Sequence, residues 1–187
     1  MKKLLATLML SILSVSTVYA ATGTLEYQTV DGVQGTADTK NYRLGLSEKI
    51  NNNLSGDVSS TITAKDSNGS VSSTRLEGGL VGSASYGVFK PYVRLATGQK
   101  FTTTTNFTYY SVEPGVSAPI SNTGLTAKLG WRYRNAYDPT ANADETRTWR
   151  ATLSYAITPK DSLAVRFDRA RGDVNQNIVA FGYTRGF

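Results

Sequence analysis

Residues 124–135 read GLTAKLGWRYRN. Leu125, Ala127, Leu129, Trp131 and Tyr133 share one parity, while Lys128, Arg132 and Arg134 share the other. Successive side chains of a strand point to opposite faces, so this stretch is a β-strand with one uncharged face and one cationic face. The same separation recurs outward in both directions. Ten segments show it: 24–31, 41–50, 54–64, 74–84, 89–98, 107–118, 124–135, 148–157, 162–170 and 177–187. In each, one parity is bare of charge through the body of the strand, and charges such as Glu48, Arg169 and Arg185 fall on it only at strand ends. The opposite parity carries Glu26, Arg43, Lys49, Asp57, Arg75, Glu77, Lys90, Arg94, Glu113, Lys128, Arg132, Arg134, Arg150, Arg166 and Asp168. No long segment beyond the first twenty residues has a helical period.

Composition narrows the chemistry. The chain has 187 residues with no Cys and no His. That excludes a Ser-His-Asp triad, a Cys nucleophile, a His or thiolate zinc site, a c-type haem attachment and any disulfide framework. The expectation is therefore no catalytic residue, no metal, no cofactor and no enzyme. Aromatics at 10% argue against disorder, and 17 Gly with 11 Tyr suit many half-apolar strands. The balance of 20 Lys+Arg to 14 Asp+Glu is basic. It is spread over strands without a basic helix, so nucleic acid is not expected as a partner.

Lys2 and Lys3 precede an apolar run, Leu4 to Val18, and then Val18-Tyr19-Ala20. Residues 1–20 thus read as a secretory signal peptide, with residues 21–187 as a single exported domain. The connections between segments alternate. Polar stretches such as DGVQGTADTKN and AYDPTANADETRT sit on odd-numbered connections, and tight turns such as NNN, SYGV, SNT and TPKD on even-numbered ones. An even strand number with this loop asymmetry matches a closed antiparallel outer-membrane barrel of ten strands, with eight or twelve as alternatives, and puts both termini in the periplasm.

The last segment, NIVAFGYTRGF, places Val179, Phe181, Tyr183 and the terminal Phe187 on one parity. It resembles the C-terminal insertion signal of bacterial outer-membrane proteins, and the chain as a whole resembles a small, porin-like outer-membrane β-barrel. Arg185 departs from that pattern, where an apolar residue is usual. The resemblance implies outer-membrane lipid as a neighbour and engagement of the barrel-assembly machinery through the strand ending in Phe187. In size class and arginine-lined walls the chain is similar to the small outer-membrane porins for acidic sugars.

A soluble secreted β-sandwich or lipocalin-like carrier would turn the apolar parity inward. Three features favour lipid instead: the charge-free parity, the export signal, and aromatics near strand ends. Tyr42, Tyr110, Tyr133 and Trp149 fall at the loop end, and Tyr155, Phe89 and Phe187 at the turn end, as interfacial girdles would. Pro114 lacks an N–H for the ladder and would mark a bulge. Ten strands tilted near 40° give a backbone radius of roughly 10 Å, leaving a bore of at best a few ångströms.

The charged parity then faces the lumen. Arg43, Arg75, Arg94, Lys128, Arg132, Arg134, Arg150 and Arg166 are the expected lining, with Glu26, Asp57, Glu77, Glu113 and Asp168 as salt-bridge partners. The turn near residue 159 sets Arg150 opposite Asp168. Glu113 is expected between Arg94 and Lys128, and Lys49 diagonal to Asp57. Two readings compete: a closed structural or adhesive barrel with a salt-bridged core, and a narrow channel for small anionic solutes with Arg94, Arg132, Arg150 and Arg166 as the selectivity wall. Arg171-Gly172-Asp173 spells an adhesion tripeptide but reads as turn chemistry. Asp138, Asp144 and Glu145 read as a solvated loop.

Overall fold

The computed structural model describes residues 21–33 and 38–187; the signal-peptide reading of residues 1–20 lies outside them. Ten strands follow one another: β1 (Ala21–Gly32), β2 (Thr39–Lys49), β3 (Leu54–Lys65), β4 (Val71–Ser83), β5 (Lys90–Thr102), β6 (Asn106–Ile120), β7 (Leu125–Ala136), β8 (Thr146–Ala156), β9 (Asp161–Gly172) and β10 (Gln176–Gly186). Each pairs antiparallel with the next, and β10 closes on β1, from Thr22 opposite Gly186 to Gly32 opposite Gln176. The expected closed ten-stranded barrel is what the chain forms. Closure removes every sheet edge, the condition for strands to cross hydrocarbon. A strand of about 12 residues tilted near 40° projects roughly 30 Å along the axis, enough for a bilayer core.

The uncharged parity faces outward. Leu129 is 59% exposed, Phe167 58% and Trp149 67%, whereas Glu113 is 3% exposed and Asp168 4%. Leu25, Val58, Leu80, Leu95 and Phe181 continue the apolar belt around the wall. A continuous greasy belt over a charged interior is the inverse of a soluble barrel, and far exceeds the patches soluble proteins expose.

Two expectations need correction. The strands run further than their hydrophobic parity indicates, so the connections at one end shrink to 33–38, 66–70, 103–105, 137–145 and 173–175, against 50–53, 84–89, 121–124 and 157–160 at the other. Polar residues past the belt keep pairing because the ladder needs only backbone groups, and the loop asymmetry is weaker than the sequence implies. Pro114 marks no bulge. Val93 lies opposite it in unbroken register on β5, and the β6–β7 register is the same on both sides of it, Val112 opposite Tyr133 and Gly115 opposite Gly130. The register shift falls instead at Thr63/Ala64 between β3 and β4.

The Arg171-Gly172-Asp173 stretch is part of the barrel rim. Asp173 N donates to Glu145 O (2.9 Å), and Glu145 N donates to the Asp173 carboxylate (2.6 Å). Gly172 has φ 131°, and a Cβ there would lie 2.2 Å from Glu145 O. The tripeptide's glycine and aspartate both serve this closure.

Candidate functional site

Among the described residues, charged side chains converge in the lumen. Inward glycines and alanines explain how. Asp57 on β3 faces Gly79 on β4, and Arg94 on β5 reaches over that glycine to Asp57, with Nε at 2.9 Å and Nη2 at 2.5 Å. A Cβ at Gly79 would stand 3.0 Å from the Arg94 guanidinium carbon. Arg150 on β8 faces Gly130 on β7 and passes over it to Glu113 on β6, 2.7 Å. Arg166 on β9 faces Ala180 on β10 and passes over it to Glu26 on β1, with two bonds of 2.6 and 3.0 Å. Each of these pairs arches over one strand whose residue at that level is Gly or Ala.

Further bonds join the arches. Arg94 also holds Glu77 (2.8 Å), whose other oxygen accepts from Arg132. Asp168 accepts from Arg166 Nε (3.1 Å) and lies 3.3 Å from Arg150. One chain therefore runs Asp57–Arg94–Glu77–Arg132 and another Glu113–Arg150–Asp168–Arg166–Glu26. The register does place Arg150 opposite Asp168 and Arg94 opposite Glu113. The expected Arg150–Asp168 pair forms, at 3.3 Å, while the other expected neighbour pairs give way to longer ones. Glu113 bonds Arg150 and the Tyr92 hydroxyl (3.0 Å), not Arg94 or Lys128. Asp57 bonds Arg94, not Lys49. Lys128 instead sits over the Tyr92 ring, 4.1 Å from its centroid. Lys49 and Lys90, on the inward parity at strand ends, are exposed at the turn end and leave the lumen.

The remaining expected residues all border one of two cavities. A cavity of about 60 Å³ toward the loop end is lined by Arg43, Arg75, Glu77, Arg132, Arg134, Arg150, Arg166 and Asp168. A cavity of about 430 Å³ toward the turn end is lined by Glu26, Arg43, Asp57, Arg94, Glu113, Lys128, Arg150 and Arg166. Arg43, Arg150 and Arg166 border both and stand between them.

Two contributors escaped the sequence reading. Lys100 shares the inward parity of β5 and bonds Asp144 at 3.1 Å. Asp144 is not solvated: it turns in from the loop over 137–145, is 0% exposed, and also accepts from Arg134 (2.9 Å). Its loop neighbours point elsewhere. Asp138 accepts from the Thr140 hydroxyl (2.7 Å) and from Ala141 N, which hold its carboxyl below the usual carboxylate range, and Glu145 pairs with exposed Arg147. Asp144→Asn is therefore expected to lower stability by about 1.5–3 kcal/mol, the worth of a charge-assisted bond, and to open loop 137–145 to protease. Urea unfolding and limited proteolysis of the folded barrel check both; an unchanged cleavage rate would mean that Asp144 does not tie the loop down.

The outer wall carries the expected aromatics. Tyr42, Trp149, Tyr155 and Phe187 are exposed, Tyr110 packs on Tyr133 with centroids 6.1 Å apart, and Tyr27 packs on Tyr42 at 5.5 Å.

No protein-family model matches the chain, and no curated protein is similar to it in sequence. Solved structures are similar in shape. A KdgM porin in complex with disordered oligogalacturonate superposes with TM-score 0.52 at 13% identity, covering 89% of this chain and 99% of that one. An active-site mutant of outer-membrane phospholipase A from Escherichia coli gives 0.52 at 12% identity, over 92% and 93%. The Salmonella typhi outer-membrane phospholipase, a dimer with bound calcium, gives 0.51 at 12%, over 92% and 93%. At such identities the likeness carries the fold alone, and the fold is that of bacterial outer-membrane β-barrels, porin-like in build.

Proposed function

We propose that residues 21–187, exported by the signal of residues 1–20, form an outer-membrane barrel that passes small solutes and favours anions. One observation carries the reading. The lumen ion pairs engage Arg94, Lys100, Arg132, Arg134, Arg150 and Arg166, and leave Arg43, Arg75 and Lys128 with no carboxylate within 4.0 Å among the described residues. Those three border the two cavities. Uncompensated positive charge along the lumen lowers the barrier for anions and raises it for cations. The discriminating role moves accordingly. Arg94, Arg132, Arg150 and Arg166 are neutralised by their partners and act as girders; Arg43, Arg75 and Lys128 supply the field. The arches crossing the lumen restrict passage to ions and the smallest solutes. No enzymatic step is assigned, since imidazole and thiol chemistry are unavailable to a chain without His or Cys.

A salt gradient of potassium chloride across a planar bilayer tests the reading. The expected result is a small unit conductance with a reversal potential displaced toward that of chloride, and less displaced in Arg43→Gln and Lys128→Gln. Cation preference would overturn the assignment of charge. Silence would favour the second reading, a closed salt-bridged barrel, for which the position of Arg43, Arg150 and Arg166 between the cavities speaks. A folded protein that migrates differently on a gel before and after heating supports the lipid-facing belt over a soluble carrier. In the same picture Phe187, which is 58% exposed, is the contact offered to the barrel-assembly machinery, with outer-membrane lipid around the wall and the termini in the periplasm.

A further inference from the structure

The smaller cavity holds more positive charge than its partners neutralise. Arg43 on β2, Thr61 on β3 and Arg75 on β4 lie at one level, because Thr61 is opposite Arg43 on one side and opposite Arg75 on the other. Both guanidinium groups line the cavity and neither has a carboxylate within 4.0 Å among the described residues. Among the described residues Arg43 donates to a hydroxyl alone, Ser59 Oγ at 3.3 Å. Across the cavity, Nε of Arg132 and of Arg150 are sealed from solvent without a hydrogen-bond acceptor. Arg43 and Arg75 are half-buried; a cation drawn out of bulk water without a counter-charge is costly, and a buried donor without an acceptor costs again. A small anion at this level would relieve both.

We propose that the Arg43–Thr61–Arg75 rung is a binding site for a monatomic halide, chloride in practice, held as a structural counter-ion inside the wall. The cavity, about 60 Å³, has room for roughly two water-sized bodies. That admits a halide with one water and refuses a sugar acid. The donor set fits the same ligand: guanidinium and hydroxyl groups offer N–H and O–H to a spherical anion without demanding the planar geometry of a carboxylate. The site does not require conduction. A closed barrel and an open one both need the charge of this rung compensated, so a silent bilayer would sink the channel and leave the halide site standing.

Unfolding of the full barrel in detergent micelles tests it, followed by the heat-dependent gel shift in sodium chloride and in sodium gluconate at equal ionic strength. Gluconate is too large for the cavity and screens equally. A ligand that binds only the folded state raises its midpoint in proportion to occupancy. The expected result is a higher midpoint in chloride, rising with concentration to a plateau, abolished in Arg75→Gln and kept in Lys90→Gln, which removes an exposed cation outside the site. Equal midpoints in the two salts, or a chloride effect undiminished by Arg75→Gln, would overturn the site. Should Arg75→Gln not fold, anomalous scattering from bromide-soaked crystals of the wild-type barrel decides: a peak between Arg43 and Arg75 supports the site, and its absence there refutes it.

Discussion

Arg150→Ala is expected to lower the unfolding free energy of the barrel by about 3–5 kcal/mol, the cost of breaking a buried ion pair from one side. The guanidinium passes over Gly130 and engages two carboxylates, Glu113 at 2.7 Å and Asp168 at 3.3 Å. Their side chains are 4% and 1% exposed. Alanine would leave Glu113 with the Tyr92 hydroxyl and Asp168 with Arg166 alone, two carboxylates nearly shut off from solvent. Were the lumen wide and wet at this level, the same change would cost no more than about 1 kcal/mol, the range of exposed pairs. The size of the loss therefore measures how closed the lumen is. Arg150→Lys keeps the charge but not the forked reach to two acceptors, and should recover only part of the loss. Urea unfolding of the barrel in lipid vesicles supplies the number; a loss below about 1 kcal/mol would mean that solvent bathes both carboxylates.

The wall was legible in the sequence and most of the pairing was not, for a physical reason. Parity states which face a residue joins, and lipid tolerates so little charge that Leu125, Leu129 and Trp131 on one side and Lys128, Arg132 and Arg134 on the other leave no second orientation. Register was legible where a tight turn set it: residues 157–160 place Arg150 opposite Asp168. Parity is silent about the direction a long side chain takes around the circumference. Neighbouring strands lie about 4.8 Å apart, and an arginine with a glutamate spans two such intervals. Nearest-neighbour pairing then loses to the arches wherever the intervening strand presents Gly79, Gly130 or Ala180. The signal was in the chain, as small residues on the charged parity, but it has meaning only once the register is known. Asp144 is a different case. A polar loop has no period to read, and the pull that brings Asp144 inward belongs to Arg134 and Lys100 on other strands.

The tyrosines of the inward face lead to the other large effect. Tyr92 on β5 stands opposite Gly115 on β6 and lays its ring over it; Tyr109 on β6 does the same over Gly98 on β5. A Cβ on Gly115 would lie 2.4 Å from the Tyr92 ring and 2.5 Å from Leu129 O; on Gly98, 2.6 Å from the Tyr109 ring and 2.5 Å from Leu76 O. The ring could swing aside, but the carbonyl oxygen belongs to the backbone of the wall and cannot. A glycine under an aromatic ring on a paired strand is thus a packing requirement. Gly115→Val is expected to destabilise the barrel by more than about 3 kcal/mol, the upper range for overpacking. Displacing Tyr92 also strips Glu113 of a donor and Lys128 of the ring beneath it. Gly82→Val is the matched control, since a Cβ there meets nothing within 4 Å. It faces outward, where valine suits both strand and lipid, so the folded band on a gel should persist unchanged. The two substitutions add the same atoms to the same kind of strand. A Gly115→Val barrel as resistant to urea as Gly82→Val would mean that Tyr92 does not lie over β6, and the placement of Glu113 beneath Arg150 would go with it.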